Sequence, residues 1–188
     1  MNSSVGKLPF DAAPTEVLMA PRCSFDDLYR QHFSFVWRNL RRLGVPPALV
    51  EDAAQDTFIV VHRRLADLHS DASAKAWLFG IAVRVAHDYR RTKKRKPTVN
   101  LETEIALSPE SSPFDKTATA EAGRVLQRFL GTLDDDKRAV FVLAEMEELS
   151  APEMSEALGV GVNTIYSRLR GARERFVDFL AREGGSDG

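Results

Sequence analysis

One cysteine, Cys23, occurs in 188 residues, so the chain can form no internal disulfide and holds no cysteine-based zinc site. That fits a reducing compartment. Long apolar runs are also missing: none approaches the roughly 20 residues of a membrane helix. Residues 1–22 lack the basic start and unbroken apolar core of a signal peptide. Both absences predict a cytoplasmic protein with no membrane insertion of its own. No stretch alternates apolar and polar residues over a useful length, and no internal repeat is present, which argues against a sheet and against an array. Net charge is nearly absent too, at −1.

The charges that are present are segregated. Arg84, Arg90, Arg91, Lys93, Lys94, Arg95 and Lys96 face only Asp88 in their stretch. Asp134, Asp135, Asp136, Glu145, Glu147, Glu148, Glu153 and Glu156 face only Lys137 and Arg138 in theirs. Local fields therefore matter more than the overall balance. The hydrophobic fraction of 44% is that of a globular chain, with room for one large domain or two small ones.

Helical periodicity organises the remainder. Residues 1–24 carry Pro9, Pro14 and Pro21 with little periodicity and read as a disordered extension, with Val17, Leu18 and Met19 as a short apolar element able to dock. Residues 25–96 hold three amphipathic patterns. The first is Phe25, Leu28, Tyr29, Phe33, Val36, Trp37, Leu40 and Leu43, ended by Gly44-Val45-Pro46-Pro47. The second is Leu49, Ala53, Phe58, Val61 and Leu65. The third is Trp77, Leu78, Ile81, Val85 and Ala86, which runs into the basic cluster. Residues 97–119, with Pro97, Pro109, Pro113, Glu102, Glu104, Glu110 and Asp115, have the composition of an acidic linker. Residues 120–183 carry one helix through Val125, Leu126, Phe129 and Leu130, another through Ala139, Val140, Val142 and Leu143, and a final pair; 184–188 read as a tail. The predicted class is all-α, two small helical domains joined by a flexible linker, the second with a helix-turn-helix.

That final pair is the most specific signal in the chain. Ser150 and Glu153 form a capping box, Pro152 suits a first helical turn, and Met154, Ala157 and Leu158 give an apolar stripe. Gly159-Val160-Gly161 is the turn. Val162, Ile165, Leu169 and Ala172 then recur on one helical face, leaving Asn163, Thr164, Tyr166, Ser167, Arg168, Arg170 and Arg173 directed elsewhere. Arginine forks match guanine edges and phosphates, and asparagine and serine pair with bases, so this face suits duplex DNA. The plain alternative is a helical hairpin with solvated arginines.

Two other faces carry weaker signals. Asp52, Gln55 and Asp56 lie three and four residues apart on one face of the second helix, while Phe58 and Val61 turn largely inward. A solvated surface is the default; a docking face for a basic helical partner is the sharper reading. In the third helix, the cations can track phosphates while Trp77, Phe79 and Tyr89 offer stacking surfaces for unpaired bases, although each aromatic singly fits a core equally well. A metal-dependent hydrolase built on Asp52, Asp56 and His62 fails on inventory, because His32, His69 and His87 are scattered without metal spacing. No catalytic residue, metal or cofactor is therefore expected. A conventional helix-turn-helix regulator, binding a two-fold symmetric duplex site unaided, remains open.

The order Asp52-x-x-Gln55-Asp56-x-Phe58, Ala76-Trp77-Leu78-Phe79-Gly80-Ile81-Ala82, Asp88-Tyr89-Arg90-Arg91, Leu133-Asp134 and Leu149-Ser150 through Arg173 resembles the bacterial extracytoplasmic-function (ECF) sigma factors, over residues 25–180. The resemblance implies a two-domain initiation factor. Residues 25–96 would bind the clamp helices of core RNA polymerase through Asp52, Gln55, Asp56 and Phe58. They would open the minus-ten element through the 67–73 loop and Lys75, Trp77, Arg84, His87, Arg90 and Arg91. Residues 120–183 would read the minus-thirty-five element through the seven outer residues of the last helix. The linker would thread the polymerase channel, and an anti-sigma protein, often membrane-anchored, would hold the factor inactive. The chain departs from the pattern at Val83-Arg84, where many members have Arg-Asn, at Tyr166, where Lys or Arg is usual, and at Gly171, which reads as a site of close backbone approach.

Overall fold

A computed structural model describes residues 24–68, 73–95 and 113–184, with backbone alone at 93–95, 113–120 and 184. The extension with Cys23, most of the 67–73 loop, Lys96 with residues 97–112, and the tail lie outside the described residues. Every described element is helical: α1 (Phe25–Arg42), α2 (Val50–Arg63), α3 (Ala74–Arg95), α4 (Pro113–Thr132), α5 (Asp135–Glu145), α6 (Ala151–Leu158) and α7 (Val162–Gly184), with 3₁₀ turns at Pro47–Leu49 and Leu65–Asp67.

Side-chain caps set where α1 and α5 begin. Ser24 accepts from the Asp27 N–H at 3.1 Å to start α1, and Asp134 accepts from the Lys137 N–H at 2.9 Å to start α5. Asp26 and Asp27, like Asp135 and Asp136, add negative charge where each helix dipole is positive. After α1 the chain reverses at Gly44, whose φ of +90° favours glycine. Helix α4 begins at Pro113, inside the stretch whose composition suggests linker. Proline is pre-organised for a first helical turn, and the following Ala118-Thr119-Ala120-Glu121-Ala122 favours helix, so local propensity prevails there.

The first cluster packs Leu28, Val36 and Leu40 of α1 against Ala53 and Val61 of α2 and Leu78, Phe79 and Ala82 of α3, all buried. In the second, Phe129 of α4 stands edge-on to Phe141 and Phe176 at centroid distances of 5.0 and 4.8 Å, above Val140, Leu143, Ile165 and Ala172. The clusters also pack on each other, since α3 crosses α6 and the core is continuous. At the crossing, a Cβ on Gly80 would lie 2.3 Å from the Ala157 carbonyl oxygen. Arg138, 3% exposed, spans the junction. It donates to the carbonyls of Leu130 (2.6 Å), Leu133 (2.9 Å) and Leu43 (3.1 Å). One guanidinium thus satisfies orphan carbonyls at the ends of α4 and α1. Burial, with nearby Arg90 adding repulsion, pushes its pKa down to about 10, which leaves it charged at neutral pH.

Candidate protein and nucleic-acid interfaces

On α2, Thr57 and Phe58 are buried while Asp52, Gln55 and Asp56 remain exposed, so the three polar groups form one rim. Beside it lies an open groove of about 390 Å³ lined by Phe25, Tyr29, Gln55, Phe58, Ile59 and His62, with Arg63 at its edge. Its floor is an aromatic cluster: Tyr29 meets Phe58 at 4.8 Å, Phe33 stacks on Phe58 at 6.1 Å, and His62 stands edge-on to Phe25 at 5.1 Å. Phe58 is 3% exposed. It therefore supports the groove from beneath instead of forming a surface contact as the sequence motif suggests. The apolar surface comes from Tyr29 and Ile59, which sequence reasoning passed over as a docking element.

The rim is tied to the third helix. Tyr89 donates its hydroxyl to Asp56 at 2.7 Å, and burial together with that bond raises the Tyr89 pKa to about 12. Along α3, Trp77, Arg84, His87 and Arg91 succeed one another by seven, three and four residues, which puts them on one stripe. Arg84, His87 and Arg91 are exposed and Trp77 is half-buried. Lys75, nine residues before Arg84, lies on the opposite side, near the Phe35 ring at 6.0 Å. Arg90 leaves the stripe and pairs with Asp135 of α5. Phe79 is fully buried and cannot stack on a base, because the inward face of α3 is closed by α1, α2 and α6. Lys94 and Arg95 have no described side chains, and Lys96 lies outside.

The helix-turn-helix forms as its sequence dictates. The Ser150 N–H donates to Glu153 at 2.8 Å and the Glu153 N–H reaches the Ser150 hydroxyl at 3.5 Å. The box holds the Glu153 pKa below the usual carboxylate value. Gly159 takes the left-handed φ of +66°, and the Ser155 hydroxyl donates across the turn to the Val160 carbonyl at 2.6 Å. Ile165, Leu169 and Ala172 of α7 are buried against the domain, leaving Asn163, Thr164, Tyr166, Ser167 and Arg170 exposed.

The seven candidate residues on α7 do not form one uniform face. Arg168 pairs with Asp136, and Arg173 pairs with Glu145 at 2.7 Å, both carboxylates belonging to α5. Nothing near Arg168 or Arg173 in sequence announces these partners, which lie 32 and 28 residues away. At Gly171 the nearest neighbour of a Cβ would be the flexible end of Lys137 at 3.3 Å, so no backbone approaches there and that expectation is corrected. Beside these residues, Tyr166, Leu169, Arg170, Arg173, Glu174 and Val177 border an open hollow of about 480 Å³.

Comparison with known proteins finds two family matches. The model for Sigma-70 region 2 matches residues 28–96, and that for Sigma-70, region 4 matches residues 123–176. The ECF RNA polymerase sigma factor SigM of Mycobacterium tuberculosis is 31% identical over 159 residues, 85% of this chain and 78% of SigM. Among solved structures, CnrH in complex with the cytosolic domain of CnrY superposes with a TM-score of 0.62 at 28% identity, over 84% of this chain and 88% of CnrH. The sigma factor RpoE of Bartonella quintana, solved with the anti-sigma factor NepR, shares the fold at a TM-score of 0.62 and 22% identity, covering 81% of this chain and 96% of RpoE.

Proposed function

Since this chain belongs to the extracytoplasmic-function family of RNA polymerase sigma factors, non-catalytic proteins that direct transcription initiation, we propose how its residues divide that work. Residues 25–96 dock on core polymerase through the rim of Asp52, Gln55 and Asp56. Tyr29 and Ile59 supply the apolar contact and Phe58 the support beneath them. A polar rim around a small aromatic floor suits a helical partner surface, where a few desolvated anchors carry most of the affinity.

The stripe of Trp77, Arg84, His87 and Arg91 handles the melted minus-ten strand: cations follow phosphates and the half-buried indole offers a stacking surface. Lys75 and Arg90 stand off this stripe and take part only after rearrangement. Residues 120–183 read the minus-thirty-five duplex with the α7 face of Asn163, Thr164, Tyr166, Ser167 and Arg170, while Arg168 and Arg173 first exchange a carboxylate for DNA. Neither domain needs high affinity alone, because polymerase binding makes the second contact effectively intramolecular.

The observation that carries this reading is the coexistence, in one chain, of the rimmed α2 groove and a capped helix-turn-helix with an open polar outer face. Anti-sigma control is supported by the relatives solved with CnrY and NepR. We infer a partner of that kind for this chain, which would hold the factor at the membrane if itself anchored there. Binding to core polymerase tests the docking face. The Asp52→Ala/Gln55→Ala pair should weaken binding by about tenfold or more, as loss of interface anchors does, with helix content unchanged. Unaltered affinity would remove the α2 rim from the interface.

A further inference from the structure

Tyr89 belongs to α3 but reaches the rim of α2. It stands two residues from both His87 and Arg91, a rotation of about 200° at 3.6 residues per turn. Its ring is therefore directed away from the stripe assigned to the minus-ten strand, and it packs half-buried against the core. As a sequence, Tyr89 fits a base-stacking surface; in the fold its hydroxyl serves the other interface. It donates to Asp56 Oδ2 at 2.7 Å, bridging 33 residues of chain, and Asp52, one turn before Asp56, places a second negative charge beside it.

The chemistry of this donor matters for a docking rim. Among the described residues no cation forms an ion pair with Asp52 or Asp56. The side chain that holds Asp56 is a neutral phenol, and burial, the bond to Asp56 and the two carboxylates keep it protonated, with its pKa raised to about 12. A cation in that place would cancel the charge of Asp56, as Asp136 and Arg168 cancel one another. A phenol orients the carboxylate and leaves its charge to the rim. A carboxylate has about four lone-pair sites, so Asp56 keeps most of its acceptor capacity for a partner.

We propose that Tyr89 is a positioning residue for polymerase docking: its hydroxyl sets the Asp56 carboxylate at the edge of the α2 groove, before contact, in the orientation that a basic partner surface meets. This rests on the docking reading above and adds to it a residue from outside α2. Tyr89 raises affinity by ordering an interface side chain in advance, which lowers the conformational cost of binding, and makes no polymerase contact of its own.

The test uses the full chain and core polymerase. Tyr89→Phe removes one oxygen, keeps the ring and should leave helix content unchanged. Polymerase binding should weaken by about fivefold, part of the worth of a hydrogen bond to a charged group. The decisive readout is a double-mutant cycle with Asp56→Ala. If Tyr89 acts through Asp56, Tyr89→Phe costs no further affinity once the carboxylate is gone.

A merely structural hydroxyl would lower stability in urea and weaken binding by the same factor with or without Asp56, and that result would overturn the proposal. Tighter binding by Tyr89→Phe would overturn it as well, because the hydroxyl would then compete with polymerase for Asp56. Unchanged affinity in Tyr89→Phe, measured beside a wild type that binds polymerase, would overturn positioning and leave the sigma reading intact. Failure of the wild type itself to bind would overturn that reading and this proposal with it.

Discussion

The two basic helices, α3 and α7, meet nucleic acid in the proposed mechanism, yet their surroundings differ. Helix α3 is packed on by α1, α2 and α6; Arg84 and Arg91 stand on an outer stripe, Arg90 is diverted to Asp135 and Lys75 lies on the opposite side. Helix α7 packs mainly on α5 and α6, and two of its three candidate arginines are engaged by α5 carboxylates. A helix enclosed on several sides has few orientations left for its polar face. A helix packed on one side keeps its arginines within reach of neighbours, so local carboxylates decide how available they are.

This difference is sharpest at Phe79. Phe79→Ala should cost about 3–5 kcal/mol in urea unfolding, as core truncations of aromatics do, whereas Trp77→Ala should cost far less stability but impair initiation. Similar losses from both would make α3 an ordinary core helix with no base-facing side. Arg138→Ala comes next: the Leu43 and Leu133 carbonyls lose the Arg138 donor while Leu130 keeps the Leu133 N–H at 3.3 Å, and a destabilisation of about 2–6 kcal/mol follows at roughly 1–3 per unsatisfied group. Because Arg138 joins α1 to α4, unfolding should also become less cooperative, and a single unchanged transition would deny it that bridging role.

On α7, Arg170→Ala should reduce promoter-specific initiation by roughly tenfold, near the low end of the about 1–3 kcal/mol for one arginine–base contact, with polymerase binding unaffected. Arg168→Ala should do less, because its guanidinium must first leave Asp136; equal effects would mean the ion pair does not limit availability. Ser150→Ala removes a cap and should cost about 1 kcal/mol. Smallest is Gly171→Ala, which should stabilise α7 by up to about 0.5 kcal/mol, part of the glycine-to-alanine helix preference being spent on displacing Lys137.

Much of this fold is legible in the sequence, because amphipathic periodicity and side-chain caps are local. The start of α6 follows from Ser150 and the turn from Gly159, whereas the Ser24 and Asp134 caps of α1 and α5 appear only in the structure. Depth within a helix is less legible. Phe58 and Tyr29 both belong to amphipathic patterns, and Phe79 and Trp77 stand two residues apart in one motif, yet Phe58 and Phe79 end buried because neighbouring helices close over them. Partners distant in sequence are not legible at all. Arg138 binds backbone carbonyls, which carry no residue signature, and the carboxylates on Arg90, Arg168 and Arg173 read locally as an N-terminal helix turn and an acidic surface. The candidate site was therefore recognisable by type and position, while its state of engagement depends on tertiary packing.

The central claim is that this chain confers promoter choice on polymerase by coupling its two domains. It is tested most directly by run-off transcription from fragmented bacterial genomic DNA with core polymerase, with and without the protein, mapping each new start. The account predicts new starts that share two upstream elements at a fixed spacing. An absence of new starts, together with binding of the protein alone to a discrete two-fold symmetric duplex site, would contradict it and favour a conventional helix-turn-helix regulator.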